Sequence, residues 1–97
     1  MNVVITAEAE ADLEDIFDHI AQDSPRLARE FVEQLRAKSH RIGRAPRAYP
    51  RRPQFGSGIR VAFLRSYMIL FRIAGDRVDV IHFVHGARDL NRLFTGD

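Results

Sequence analysis

Two histidines, an arginine and an aspartate stand close together near the end of this sequence. They are His82, His85, Arg88 and Asp89, within the stretch VIHFVHGARDLNRLF. Side chains of these types can transfer protons and neutralise a phosphate, which is the chemistry of a metal-independent ribonuclease. A pair of histidines can also bind zinc. Whether the four groups converge depends on the elements that carry them.

Periodicity predicts a strand followed by two helices in the first half of the chain. NVVIT predicts a short strand, and the apolar spacing after Ala7 predicts an amphipathic helix. DSPR, with Ser24 as N-cap and Pro25 at the first helical position, predicts a second helix that stops near Gly43. Because the connection between the helices is short, we expect an antiparallel hairpin.

The second half of the sequence predicts a loop followed by three strands. RAPRAYPRRPQFGSG is too rich in proline and glycine for a helix or a central strand. IRVAFL, YMILFRIA and RVDVIHFVH predict strands, with RS and GD as tight turns between them. We therefore expect an α+β domain: an N-terminal strand, a two-helix antiparallel hairpin on one face of a mainly antiparallel sheet of about four strands, and a short C-terminal tail.

These elements argue against metal or acid-base chemistry. On a strand, residues three apart point to opposite faces, so His82 and His85 are not expected to share an ion. The sequence has no cysteine, which removes thiolate metal sites and disulfides. We expect no metal, no cofactor and no catalytic residue, with His82 as a packed sheet residue and His85 as a polar group at a strand end. The other proton-transfer candidates are Tyr49 and Tyr67, and no tyrosine or histidine follows position 85.

Charge is strongly segregated along the chain, although the formal net charge is only +2. The first 24 residues hold seven acids and no Lys or Arg. Between Glu33 and Asp76 there is no acid and there are ten bases: Arg36, Lys38, Arg41, Arg44, Arg47, Arg51, Arg52, Arg60, Arg65 and Arg72. This pattern is typical either of a solvated basic surface or of a docking surface for nucleic acid or an acidic protein.

The start of the sequence is acidic, and its longest apolar runs, such as YMILF, are too short to span a bilayer. We therefore expect a cytoplasmic protein with no membrane partner.

The order of elements and two stretches resemble a known family. YMILFRIAGDRVDVIHFVHGARD and the ending HGARDLNRLF are similar to the ParE branch of the RelE/ParE toxin superfamily. The resemblance covers the whole chain, residues 1–97, as a single toxin domain, and it is most specific over residues 67–94. It implies the toxin of a type II toxin–antitoxin system that traps the cleaved DNA complex of DNA gyrase without catalysis of its own. It also implies a cognate ParD-like antitoxin, with operator DNA contacted only through that antitoxin.

An alternative function is that of the RelE branch, a ribosome-dependent mRNA endoribonuclease. That branch uses loop lysines and arginines with a Tyr or His near the C-terminus. This sequence has no Tyr or His near its C-terminus, after position 85, to transfer a proton. Its only lysine, Lys38, lies on a predicted helix and not in the loop. The alternative would rest on His85 with Arg60, Arg65, Arg72 and Arg88. A third alternative is a nucleic-acid-binding module without toxicity.

Two sets of residues are expected to carry function. For the target we expect His85, Arg88 and Asp89, with Gly86 letting the chain turn out of the sheet because glycine tolerates unusual backbone angles. For the antitoxin we expect an acidic segment that docks across the helix hairpin and one side of the sheet. The residues expected to contact it are Tyr49, Phe55, Arg60, Arg65 and Arg72.

Overall fold

The computed structural model describes residues 1–86, which form two helices against one four-stranded sheet. The elements are β1 (Asn2–Ile5), α1 (Ala7–Ala21), α2 (Pro25–Ile42), β2 (Ile59–Leu64), β3 (Tyr67–Ala74) and β4 (Arg77–His85). Two 3-10 turns, Pro46–Ala48 and Pro53–Phe55, lie in the loop between α2 and β2. The predicted α+β architecture is confirmed, and the expected C-terminal tail lies outside the described residues.

Both helices begin at a side-chain cap. The Thr6 hydroxyl oxygen accepts a hydrogen bond from the Ala9 N–H at 3.3 Å and donates to the Val80 carbonyl at 2.8 Å. The Ser24 hydroxyl oxygen accepts from the Leu27 N–H at 3.2 Å, and Pro25 occupies the first helical position. Each cap satisfies an N–H group that the helix itself leaves without a partner. Thr6 additionally fastens the start of α1 to β4.

The C-terminal end of α2 packs tightly against β1. Gly43 is the C-cap residue, and its carbonyl oxygen accepts a hydrogen bond from the Met1 ammonium group at 2.8 Å. A Cβ atom at position 43 would overlap the Met1 carbonyl oxygen and would lie 2.8 Å from Cγ2 of Val3. The absence of a side chain at Gly43 is therefore what lets the helix end and the first strand approach each other.

The strands follow one another in the order β1-β4-β3-β2. β1 runs parallel to β4, with Asn2 opposite Arg77, and the other two pairs are antiparallel. The predicted GD turn joins β3 to β4, and Gly75 adopts a φ of 63° there. The predicted RS turn joins β2 to β3, and Arg65 adopts a φ of 53°, a left-handed conformation that is uncommon for a residue with a side chain.

A bulge in β4 and a carboxylate from α1 complete the β4 edge. Leu70 lies opposite His82 but Phe71 lies opposite Val80, so Ile81 is an extra residue in β4. β1 ends at Ile5, before it can pair with this part of β4. The Asp12 carboxylate accepts a hydrogen bond from the Phe83 N–H at 3.0 Å. It thereby satisfies a backbone group in the part of β4 that β1 does not reach.

Apolar side chains fill both faces of the sheet. The main core lies between the helices and the sheet, and Leu13, Leu35, Ile69, Phe71 and Val80 are at most 2% exposed within it. A smaller buried cluster lies on the opposite face, formed by Ile59, Val61, Met68, Leu70 and Val84, with Phe55 and Ile81 packed against it. No helix among residues 1–86 has the length and apolar character needed to cross a membrane.

A bidentate ion pair links the two helices of the hairpin. The guanidinium of Arg36 donates to the two carboxylate oxygens of Glu10 at 2.6 and 2.8 Å. The hydrogen bonds from Arg36, opposed by burial and assisted by its charge, hold the pKa of Glu10 below its ordinary value. Both side chains are about 40% exposed, 42% for Arg36 and 41% for Glu10, so water screens their attraction.

We expect a Glu10→Gln variant to lose about 0.5–1 kcal/mol of stability at pH 7 relative to the unsubstituted protein. Because folding lowers the pKa of Glu10, the pair stabilises the fold above the unfolded-state value of about 4.5. That stabilisation disappears as the pH falls through the lower, folded-state pKa. Urea denaturation at pH 7 and pH 3 would measure the difference. Glu14→Gln, one turn along the exposed side of α1, is the matched control and should change stability less at pH 7.

Candidate functional site

A cleft of about 440 Å³ opens where the tip of the helix hairpin meets the β2–β3 turn and the end of β4. We call it the hairpin cleft. Leu27 lies at its edge with 48% of its surface exposed. The apolar spacing of α2 predicts that Leu27 lies on the packed face of this helix, and the structure instead leaves it at the surface. The residues that line the hairpin cleft are His19, Ile20, Leu27, Glu30, Phe31, Gln34, Arg65, Ser66, Tyr67 and His85.

Stacked side chains form one wall of the hairpin cleft. The guanidinium of Arg65 lies over the ring of Phe31, 5.8 Å from its centroid. Phe31 packs against Tyr67 at 5.4 Å between centroids, and His85 meets the edge of Tyr67 at 5.1 Å with the rings perpendicular. A cation over an aromatic face is attracted by the negative face of the ring. The cleft therefore offers a positioned cation and an imidazole beside an exposed leucine.

Gly86 follows β4 at a position where we expected glycine's tolerance of unusual backbone angles to matter, but its φ lies outside the left-handed region that favours glycine. Its N–H donates to the Ser66 carbonyl oxygen at 2.7 Å. A Cβ atom at this position would lie 3.3 Å from that same oxygen. A close approach to the β2–β3 turn, rather than an unusual φ, is what limits the residue at position 86.

Arg60 is engaged within the protein. Its guanidinium donates to the carbonyl oxygens of Tyr49 at 2.7 Å and of Arg47 at 3.4 Å. These contacts fasten the loop between α2 and β2 to the strand that follows it. Arg60 therefore has a structural role that sequence reasoning did not anticipate, because the two carbonyl groups come from the backbone of a distant turn.

The two aromatic residues of the loop pack inwards. Tyr49 meets the edge of the Phe71 ring at 5.6 Å, and the Lys38 ammonium lies 5.6 Å from the Tyr49 centroid. Phe55 packs against the buried cluster on the other face of the sheet. Tyr49 and Phe55, which the sequence suggested as residues that contact an antitoxin, thus lie on opposite faces of the sheet and are both partly buried.

Arg72 lies on the sheet face that the helices leave uncovered. It stands opposite Ile59 and Asp79 in the sheet. The hydrogen bonds from Arg77, opposed by burial and assisted by the charges of Arg77 and Arg72, hold the pKa of Asp79 below its ordinary value. The structure does not bring the three predicted arginines together: Arg65 lines the hairpin cleft, Arg60 holds the loop, and Arg72 lies on the opposite face.

His82 is half exposed, which corrects the expectation of a packed sheet residue. Its Nδ1 lies 2.8 Å from the same Asp12 carboxylate oxygen that accepts the Phe83 N–H. Sequence reasoning missed Asp12, because seventy residues separate it from His82 and its helix offers several equivalent carboxylates. Among residues 1–86, no group of three or more histidine, aspartate or glutamate side chains is placed to hold a metal ion.

Of the residues expected to contact a target, only His85 falls within residues 1–86, and it lies in the hairpin cleft. Arg88 and Asp89 lie outside residues 1–86.

Comparison with known proteins places this fold in a family. The family model of the ParE toxin of the type II toxin–antitoxin system parDE matches residues 3–90. A solved structure titled "Chromosomal ParDE TA system from P. aeruginosa" is similar in fold, with a TM-score of 0.75 and 23% sequence identity. The match covers 86% of this chain and 92% of that one. No curated protein matches the sequence. The chain therefore belongs to the ParE toxin family of type II toxin–antitoxin systems.

Proposed function

We propose that this protein inhibits DNA gyrase by trapping the gyrase complex with cleaved DNA, and that a ParD-like antitoxin neutralises it. The observation that carries the proposal is the match to the ParE toxin family over residues 3–90. The protein would act in the cytoplasm, where gyrase works, and its antitoxin would be the component that recognises operator DNA. It would perform no bond chemistry of its own.

The contacts of the β4 histidines support a non-catalytic role. His82 lies against Asp12 on the outside of the fold, and His85 lies against Tyr67 in the hairpin cleft. His82 contacts a helix carboxylate and His85 lines the cleft, so the two imidazoles have different surroundings and are not arranged as an acid and base pair across one substrate. Inhibition by binding requires no such pair.

Gyrase assays test the proposal directly. With purified gyrase, plasmid and ATP, the toxin should inhibit supercoiling and produce linear DNA after detergent and protease treatment. Addition of excess antitoxin before the toxin should prevent both effects. If toxin in clear excess neither inhibited supercoiling nor produced trapped cleavage product, gyrase would not be the target.

A second candidate function is the ribosome-dependent ribonuclease, because Arg65 and His85 both line the hairpin cleft. If this function holds, translating extracts should show new mRNA ends that His85→Ala removes. His82→Ala, outside the cleft, is the matched control and should leave such ends in place. Unchanged mRNA in the presence of active toxin would exclude this candidate.

We also propose that the antitoxin docks at the hairpin cleft. The exposed Leu27 offers an apolar contact, and Arg65 offers a cation that its stacking on Phe31 already orients. An acidic segment with an apolar side chain would match both groups. Arg72 lies outside this surface, and Arg60 would support it only by holding the loop.

We expect Arg65→Ala to weaken antitoxin binding about tenfold or more, because a hydrogen bond to a charged group contributes roughly 1.5–3 kcal/mol. Association should also slow and should become less dependent on salt concentration. Surface plasmon resonance at two salt concentrations would measure both effects. Arg72→Ala removes the same charge from the opposite face of the sheet and should change affinity little. Equal effects of the two variants would contradict docking at the hairpin cleft.

A further inference from the structure

Acidic and basic groups lie in different parts of the molecule. α1, which carries six of the acids, packs against β4 and supplies a carboxylate to its backbone. The arginine-rich segment runs from the end of α2, where Gly43 contacts β1, to the free edge of β2, where the Arg52 N–H donates to the Ile59 carbonyl oxygen at 2.8 Å. We call residues 41–52 the arginine loop. The molecule therefore has a basic segment that contains no acid of its own.

The arginine loop has a defined conformation. Pro46 is buried, Tyr49 packs against Phe71, and Arg60 binds two of the loop carbonyl oxygens. An antiparallel bridge joins Arg51 to Arg60 at the β2 edge. Because these contacts hold the backbone, the arginines of the loop are presented from fixed positions, which lowers the entropy lost when they bind a partner.

The arginine side chains of the loop point into solvent. Arg41, Arg44, Arg47 and Arg51 are exposed and Arg52 is half-buried. Within residues 1–86, the arginines that form ion pairs with carboxylates are Arg26, Arg36 and Arg77, which lie outside the loop. The guanidinium groups of the loop are therefore available for an external anion.

The loop lacks what a protein partner would need. Protein interfaces depend on a buried apolar or aromatic centre. The large apolar side chains that are well exposed in the described chain are Met1, Val4, Leu27 and Phe63, and none belongs to the arginine loop. Contact with a phosphate backbone needs only cations in suitable positions, because released counterions supply the free energy.

We propose that the arginine loop binds the phosphate backbone of duplex DNA, without sequence preference, and that it contacts the DNA held by gyrase. The choice of duplex DNA rests on the proposed gyrase function, since that target already holds a duplex. Gyrase would then be engaged through other surfaces, and the loop would add affinity for the complex that contains DNA. Guanidinium groups suit this role because they bind phosphate oxygens through two parallel hydrogen bonds.

Binding to a fluorescent 20-base-pair duplex tests the loop without gyrase. We expect affinity to fall steeply with salt concentration, and we expect the triple variant Arg44→Gln, Arg47→Gln, Arg51→Gln to lower the slope of log affinity against log salt by about 3. The matched control, Arg26→Gln, Arg29→Gln, Arg77→Gln, also loses three positive charges but none from the loop. It should keep most of the affinity and slope. Circular dichroism would establish that both variants fold.

The gyrase assay separates this proposal from the proposed function. The loop variant should require at least roughly tenfold more toxin than the control variant to trap cleaved DNA, because three phosphate contacts are lost. If the unsubstituted toxin traps gyrase and the loop variant does so equally well, the function stands and the loop proposal is wrong. If no trapping occurs with any variant, the function fails, and the duplex measurement still decides whether the loop binds DNA.

A different result would show that the arginine loop binds a protein instead of DNA. If the loop variant binds antitoxin more weakly than the control variant while duplex binding is absent or insensitive to salt, the loop is an antitoxin surface and the proposal is overturned.

Discussion

A Phe71→Ala variant is expected to lose about 3–5 kcal/mol of its free energy of unfolding. Phe71 is completely buried at the middle of β3, where it packs beneath the helix hairpin. Truncation removes the transfer energy of the ring and leaves a cavity that its strand neighbours cannot close. The ring also supports Tyr49 edge-on at 5.6 Å, so its loss should loosen the arginine loop.

Guanidinium chloride denaturation, followed by circular dichroism, would measure the loss of stability. Phe63→Ala on β2 is the matched control, because the Phe63 side chain is 54% exposed. We expect that variant to lose less than about 1 kcal/mol. Similar losses for the two variants would show that Phe71 is not the centre of the core.

A Gly43→Ala variant is expected to lose about 2–3 kcal/mol. Gly43 has a φ of −60° and a ψ of −17°, an ordinary helical conformation that alanine adopts readily. On backbone grounds alone the substitution would stabilise the protein by about 0.4–1 kcal/mol, because alanine restricts the unfolded chain. The expected effect has the opposite sign, since the new Cβ would overlap the Met1 carbonyl oxygen and crowd Val3.

Thermal unfolding would show the change as a fall of roughly 10–20 °C, since 1 kcal/mol corresponds to about 4–8 °C in a domain of this size. Gly75→Ala is the informative control. A Cβ atom at that position meets no atom within 4 Å, but the φ of 63° strains any residue with a side chain. We expect it to lose only about 1–2 kcal/mol. A stabilised Gly43→Ala variant would mean that β1 and the end of α2 separate readily.

The sequence predicted the elements well because their signals are local. Ser24 and Pro25 predict the start of α2, and the Gly75–Asp76 pair predicts a hairpin turn. Each signal depends on the backbone preferences of a few adjacent residues, which do not change with the tertiary environment. The family resemblance was also readable, since the family match over residues 3–90 includes most of the stretch that carried it.

The candidate site was less predictable because it depends on contacts between distant residues. The extra residue Ile81 changes which way the end of β4 faces, and nothing in VIHFVH marks it as a bulge. Arg60 and Arg72 look equivalent in the sequence, yet one binds loop carbonyl oxygens and the other lies on the opposite face. The groups that an arginine side chain contacts depend on the tertiary structure, which the neighbouring residues in the sequence do not reveal.

The pairing of β1 with β4 has a consequence for synthesis of the protein. Asn2 meets Arg77, so the first strand must wait until about 75 further residues have been made before its partner exists. At about 5–20 residues per second, that interval is on the order of 4–15 s. During it the nascent chain can form the helix hairpin but cannot complete the sheet. A chain that stopped before residue 77 would therefore lack the partner of β1 and could not complete the sheet.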